Sequence, residues 1–140
     1  ENLRINAAML GLTRAQTEAR AEAIVDFAGV REFIQEPMRT YSSGMILRLA
    51  FSVAVNAGAD ILLIDEIIGV GDQAFQQRAL EKIHALRRAG KTIVLATHSP
   101  DLLTSLCERA LWLDHGATRM LGAAREVLDA YHGETSAAKA

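Results

Sequence analysis

Residues 61–66, Ile-Leu-Leu-Ile-Asp-Glu, constrain the fold more than any other stretch of the chain. Four aliphatic residues in succession, without polar alternation, predict a strand buried on both faces of a parallel sheet with helices over each face. Two adjacent carboxylates cannot follow into that core. Asp65 and Glu66 are therefore expected where the strand leaves the sheet, at the carboxyl end where open α/β sheets gather ligands. A metal–phosphate site needs such a pair: one carboxylate for a hydrated Mg²⁺ and a neighbour for the proton of an attacking water. Taken alone, the stretch fits equally well a strand followed by a solvated acidic turn.

The residues after Glu66 bear on that choice. Gly69-Val70-Gly71-Asp72 reads as a loop, and Gln73–Arg88 as an amphipathic helix that turns Phe75, Ala79, Leu80, Ile83 and Leu86 inward, with Gly90 at its end. Thr92–Ala96 is a second apolar strand, followed by Thr97-His98-Ser99-Pro100. Strand, helix, strand is a βαβ crossover, so the two strands are predicted parallel and His98 is brought to the same sheet edge as Asp65 and Glu66. Three titratable groups leaving apolar strands on one side favour a site over a solvated rim. Beyond them, Ser99 and Pro100 open a short helix through Cys107, and Ala110–Asp114 and Ala117–Leu121 form a hairpin around His115-Gly116. Ala124–Tyr131 is a last helix, and residues 133–140 are expected to be a loose tail.

Upstream the chain is helical. Thr13 with Gln16 is a capping-box start, Ala21, Ile24, Val25 and Ala28 share one face, and Gly29 ends the helix. Arg31–Gln35 reads as a helical turn stopped by Pro37, and Met38–Tyr41 as extended. Tyr41-Ser42-Ser43-Gly44-Met45 then opens an apolar helix that runs to about Ala57. Two serines and a glycine in this place are an N-cap. The same helix start, with bare N–H groups, hydroxyls and a glycine that permits close approach, is also an anion site.

Gly90-Lys91-Thr92 imitates the tail of a phosphate-binding P-loop, but Ala85 stands where the motif's first glycine belongs, and here a helix precedes and a strand follows, the reverse of the required order. The chain has no P-loop. Its 140 residues, half of them hydrophobic, suffice for one domain or part of a larger one, and a net charge of −2 gives no electrostatic case for nucleic acid. Cys107 is the only cysteine, so no internal disulfide exists, and no run approaches the ~20 apolar residues of a membrane span. His84, His98, His115 and His132 lack zinc-ligand spacing. The reading of Trp112 is a packing residue.

These residues together resemble the C-terminal part of the ATPase subunit of an ABC transporter, over about residues 1–133. The resemblance is carried by Tyr41-Ser42-Ser43-Gly44-Met45 with Arg48-Leu49-Ala50-Phe51-Ser52, by Ile61–Glu66, by Val70-Gly71-Asp72 with Phe75, and by Thr97-His98. The YSSGM form of the signature and the VGD loop are similar to the branch that exports O-antigen, capsule or teichoic acid. The implied fold is α/β, a P-loop NTPase-like core of parallel strands with flanking helices. Residues 1–58 would form part of the helical subdomain with the signature and its helix, 59–133 the ATPase core, and 134–140 a flexible tail.

The resemblance also implies roles. Asp65 would be the Walker B aspartate acting on Mg²⁺ through water, Glu66 the glutamate that polarises the attacking water, and His98 the switch histidine at the γ-phosphate. Ser42, Ser43 and Gly44 would be signature residues facing ATP on the opposite subunit of a head-to-tail homodimer, and Asp72 would belong to the loop that crosses the dimer interface. The expected partners are that second subunit and a transmembrane permease, and the expected location is cytoplasmic, on the inner face of the membrane. In the family the P-loop precedes the signature. The chain is accordingly expected to be a fragment of an ATP-hydrolysing parent, inactive alone, with exposed apolar edges that drive non-native oligomerisation. The alternatives are a truncated, non-enzymatic interaction module and a non-transport ABC-type ATPase.

Overall fold

The computed structural model describes residues 2–65 and 71–137. It divides into two compact units, Glu1–Val94 and Leu95–Ala140.

In the first unit three helices pack together: α1 (Asn2–Met9), α2 (Arg14–Ala28) and α3 (Ser43–Asn56). Their shared core contains Leu3, Ala7, Ile24, Val30, Leu49 and Val53. Helix α2 starts as its sequence dictates: Gln16 N–H donates to the Thr13 hydroxyl and the Gln16 side chain accepts from Thr13 N–H, a reciprocal capping box. It ends at Gly29, which takes the left-handed conformation at φ 65°. Arg31–Phe33 and Met38–Thr40 are single 3₁₀ turns. The second of these corrects the extended reading of Met38–Tyr41, of which only Tyr41 keeps an extended backbone. The cause is the Pro37 carbonyl, which accepts both the Thr40 N–H at 2.9 Å and the Thr40 hydroxyl at 2.7 Å and closes the turn. Tyr41 is buried, its hydroxyl donates to the Phe33 carbonyl at 2.7 Å, and desolvation, helped by Glu36, raises its pKa.

Strand β1 (Ile61–Asp65) and strand β2 (Thr92–Ala96) are hydrogen-bonded neighbours in one sheet. The Thr92 N–H donates to the Asp60 carbonyl at 2.9 Å and the Lys91 ammonium reaches the Asp60 carboxylate at 2.7 Å, which sets the two strand starts side by side and makes the pair parallel. The expected burial of β1 on both faces does not hold. Ile64 is buried, but Ile61 is 60% and Leu63 77% exposed, as is Val94 of β2 at 54%. Burial alternates along the strand: Leu62 and Ile64 are covered, whereas Ile61 and Leu63 are exposed.

Helix α4 (Gln73–Arg88) buries Phe75, Ala79 and Ile83, with Leu80 and Leu86 half-buried. Phe75 meets Phe27 of α2 and Phe51 of α3 edge-on, with ring centroids 5.7 and 5.8 Å away. Lys82 adds a bond to the Asn56 side chain at 2.9 Å, so α4 is fixed to the helical part at two levels. Gly90 closes the helix: Lys91 N–H returns to the Leu86 carbonyl and Gly90 N–H to that of Arg87.

The second unit holds α5 (Pro100–Leu106), the antiparallel hairpin β3 (Arg109–Asp114) and β4 (Ala117–Ala123), and α6 (Ala124–Ala137). Ser99 caps α5 by accepting from Leu102 N–H. Leu111 pairs with Leu121 and Trp112 with Met120, before a bulge that brings Leu113 opposite Thr118. One hairpin face buries Ala110 with Ala124 and Val127 of α6, and Trp112 meets Tyr131 edge-on at 5.4 Å. The other face leaves Leu111, Leu113 and Leu121 exposed. At the turn His115 adopts φ 47°, and Asp114 accepts from Arg119 at 2.9 and 2.7 Å and pairs with His115 Nδ1 at 2.7 Å. Helix α6 continues beyond Tyr131, where the sequence reading ends it, through Gly133 and as far as Ala137, into the stretch read as a loose tail.

Candidate functional site

The start of α3 is the best-defined part of the site. Ser42 is its N-cap, with extended backbone at φ −66° and ψ 158°, and its hydroxyl accepts from Met45 N–H at 3.2 Å. The Ser42 carbonyl takes the Ile46 N–H at 3.1 Å. The N–H groups of Ser43 and Gly44 are thus the orphan donors of the first turn, and no other described residue accepts from them. Ser43 is exposed. A Cβ on Gly44 would meet nothing closer than Ser42 Oγ at 3.9 Å, so packing within the chain does not demand glycine there. Two outward donors, an exposed hydroxyl and a helix dipole suit a bound anion.

Asp65 is the last residue of β1 and is exposed, as predicted for the point where the strand leaves the sheet. Its carboxylate makes no hydrogen bond or ion pair with another described residue, and a hard oxygen donor left open in this way fits a hydrated divalent cation. Glu66 lies outside the described residues, as does Val70. Asp72 is the N-cap of α4: its Oδ1 accepts from Phe75 N–H at 2.8 Å, and its Oδ2 receives the Arg48 guanidinium at 3.5 Å. His98 belongs to the second unit, follows β2 and is exposed; beside it Ser99 N–H donates to the Thr97 hydroxyl at 3.0 Å.

Lys91, the lysine of the false P-loop, is bound to Asp60 and lies at the start of the strands, opposite the end that carries Asp65. Its hydrogen bond, followed by its charge, lowers the Asp60 pKa. The groove between α3 and β1 is lined by apolar side chains such as Leu47, Phe51, Leu62 and Ile64, with Asp65 as its one charged lining residue, and its side chains offer no donor for a phosphate. The Arg48–Asp72 bond is the contact that sequence reasoning missed. The two residues are 24 apart, and only the proximity of the signature helix to the VGD loop in a folded domain could have suggested it.

No family model matches the chain. An O-antigen export system ATP-binding protein of Myxococcus xanthus is 47% identical over 140 residues, 100% of this chain and 32% of that protein. The chain is a homologue of ABC export ATP-binding proteins. A teichoic acids export ATP-binding protein of Listeria monocytogenes is 41% identical over 94% of the chain and 39% of that protein. An O-antigen export ATP-binding protein of Klebsiella pneumoniae is 39% identical over 94% of the chain and 53% of that protein. The chain therefore spans about a third to a half of the relatives' length. Among solved structures, the ATP-binding subunit of an ABC transporter superposes with a TM-score of 0.78 at 21% identity, covering 94% of this chain and 55% of that one. The fold is that of part of an α/β ABC ATPase.

Proposed function

We propose that the whole protein carrying this chain is the ATP-hydrolysing subunit of a polysaccharide exporter, and that these residues supply its hydrolytic acids and its signature. The observation that carries the reading is identity of 47% across the entire chain to an O-antigen export ATPase, together with the outward-facing Ser43 and Gly44 donors at the start of α3. Residues 1–58 are its helical subdomain portion and residues 59–133 its ATPase core.

In this reading Asp65 holds Mg²⁺ through water. Bound Mg²⁺ offsets charge on the phosphate oxygens and orders them. Glu66 accepts a hydrogen bond from the attacking water and orients it, and His98 donates toward the γ-phosphate. Ser43 and Gly44 N–H groups, with the Ser43 hydroxyl, donate to phosphate oxygens held by the opposite subunit of a head-to-tail homodimer, while Ser42 stays committed to its cap. Stabilisation of this kind requires donors fixed before the reaction, which a capped helix start provides. A permease binds the dimer at the cytoplasmic face of the membrane and determines whether O-antigen, capsule or teichoic acid is moved. No helix among the described residues is long and apolar enough to cross a membrane.

The test is ATP hydrolysis by the whole protein with its permease in proteoliposomes, beside export of the polymer in cells. Glu66→Gln is expected to keep nucleotide binding, abolish hydrolysis and trap polymer inside. Wild-type turnover in Glu66→Gln overturns the assignment. Residues 1–140, which carry no GxxxxGK[ST] sequence, are expected to hydrolyse no ATP alone.

A further inference from the structure

Arg48 lies one turn after Gly44 on α3, on the same side of the helix. Its side chain is only 21% exposed, its Nε is buried with no hydrogen-bond partner among the described residues, and its Nη1 reaches Asp72 Oδ2 at 3.5 Å. Its stem also touches the residue before Asp72. Gly71 sits at φ +87°, and a Cβ there would lie 3.4 Å from Arg48 Cδ and 3.2 Å from the Phe75 ring. Gly71 is thus held between Arg48 and Phe75, with Asp72 dividing its two oxygens between the α4 cap and the guanidinium.

We infer that Arg48 is a positioning residue that couples the start of α3 to Gly71-Asp72 at the start of α4. The inference rests on the proposed role of Ser43 and Gly44. A turn or tilt of α3 that accompanies a phosphate at its first turn carries Arg48 with it, and Arg48 draws Gly71-Asp72. The bond is long for an ion pair, and the buried, unpartnered Nε leaves the guanidinium a second donor with which to tighten its hold when the loop moves.

The experiment uses the whole protein with its permease and four variants: Arg48→Met, Arg48→Lys, Asp72→Asn and the Arg48→Met/Asp72→Asn pair. Asparagine is as good an N-cap as aspartate, so Asp72→Asn removes the ion pair while keeping the cap on Phe75. A partly exposed pair of this kind supports an effect of about fivefold. Arg48→Met and Asp72→Asn are each expected to lower kcat by that factor with KM for ATP unchanged, and to speed amide exchange at residues 71–76 without altering α2. The double variant is expected to be no slower than either single, and Arg48→Lys to recover most of the rate. Multiplication of the two losses, to roughly 25-fold in the double variant, overturns the coupling, as does unchanged exchange at residues 71–76. If the wild-type protein hydrolyses no ATP, the proposed function fails on its own, and the exchange measurement still decides whether Arg48 holds the loop.

Discussion

Phe75 is the residue on which the fixing of α4 depends most. It is 1% exposed, it meets Phe27 and Phe51 edge-on at 5.7 and 5.8 Å, and Arg78 stands over its ring at 5.8 Å. Phe75→Ala removes the ring and opens a cavity at the meeting of three helices, for a loss of about 4 kcal/mol. That is a large share of the 5–15 kcal/mol that ordinary domains possess, so the more informative variant is Phe75→Leu. Leucine keeps most of the apolar volume but forfeits both edge-on ring contacts, each worth about 0.5–1.5 kcal/mol, and a loss near 2 kcal/mol is expected. With a urea slope of about 2 kcal/mol/M for a chain of this size, the unfolding midpoint falls by about 1 M in Phe75→Leu and about 2 M in Phe75→Ala. Urea unfolding followed by circular dichroism at one fixed protein concentration measures both. A midpoint within about 0.2 M of wild type for Phe75→Ala would show that the three rings are not packed as described.

Gly44→Ala should leave stability unchanged or raise it by up to about 1 kcal/mol, because alanine is the better helix former and its Cβ meets nothing within 3.9 Å, yet it should weaken ATP-driven dimerisation of the whole protein; dimerisation equal to wild type in gel filtration with ATP would place the phosphate elsewhere. Asp114 has its pKa lowered, first by the hydrogen bond from Arg119 and then by that from His115, so its contribution is present above the ordinary carboxylate pKa and lost as pH falls through the lowered value. Asp114→Asn should therefore flatten the acid limb of a stability–pH profile below about pH 4, and an unaltered limb would contradict the pairing. Residues 1–140 expose Ile61, Leu63 and Val94 on β1 and β2, and light scattering is expected to show association that Leu63→Lys reduces; a monomeric wild-type mass refutes this.

Local chemistry was the most legible part of the chain. The Thr13–Gln16 box, the Gly29 end and the Ser99-Pro100 start each rest on residues within a few positions of one another, and each forms as read. The 3₁₀ turn at Met38–Thr40 escaped because the rule applied there concerns the residue before a proline, whereas the Pro37 carbonyl organised the residues after it. Gly133 did not end α6, since one glycine costs about 1 kcal/mol in a helix already under way. The exposure of Ile61 and Leu63 was hidden for a different reason. An apolar run reports what a strand needs to have covered, and it cannot report whether the covering layer is among these residues. Of the candidate site, the end of β1 and the capped start of α3 were legible because acids after an apolar run and serines before one are positional signals; the Arg48 link was not, since nothing local joins residues 24 apart.

The starts of α3 and α4 use the same cap chemistry but differ in what holds the capping residue. At α4 the capping Asp72 is also held by Arg48, and Gly71 lies against the Phe75 ring and the Arg48 stem, so the cap is braced by the chain itself although residues 71–74 are exposed. At α3 the Ser42 hydroxyl binds only Met45 N–H among the described residues, the next two N–H groups have no acceptor there, and a Cβ on Gly44 would meet nothing closer than 3.9 Å. Orphan donors at a helix start must find an acceptor, and water is the default one. Glycine at position 44 forgoes up to about 1 kcal/mol of helix propensity without any internal packing that requires it. A cost with no internal return is best explained by something external that approaches the first turn closely, and an anion satisfies both the donors and the dipole. Arg48 on the same face of α3 then makes the start of α4 responsive to that of α3.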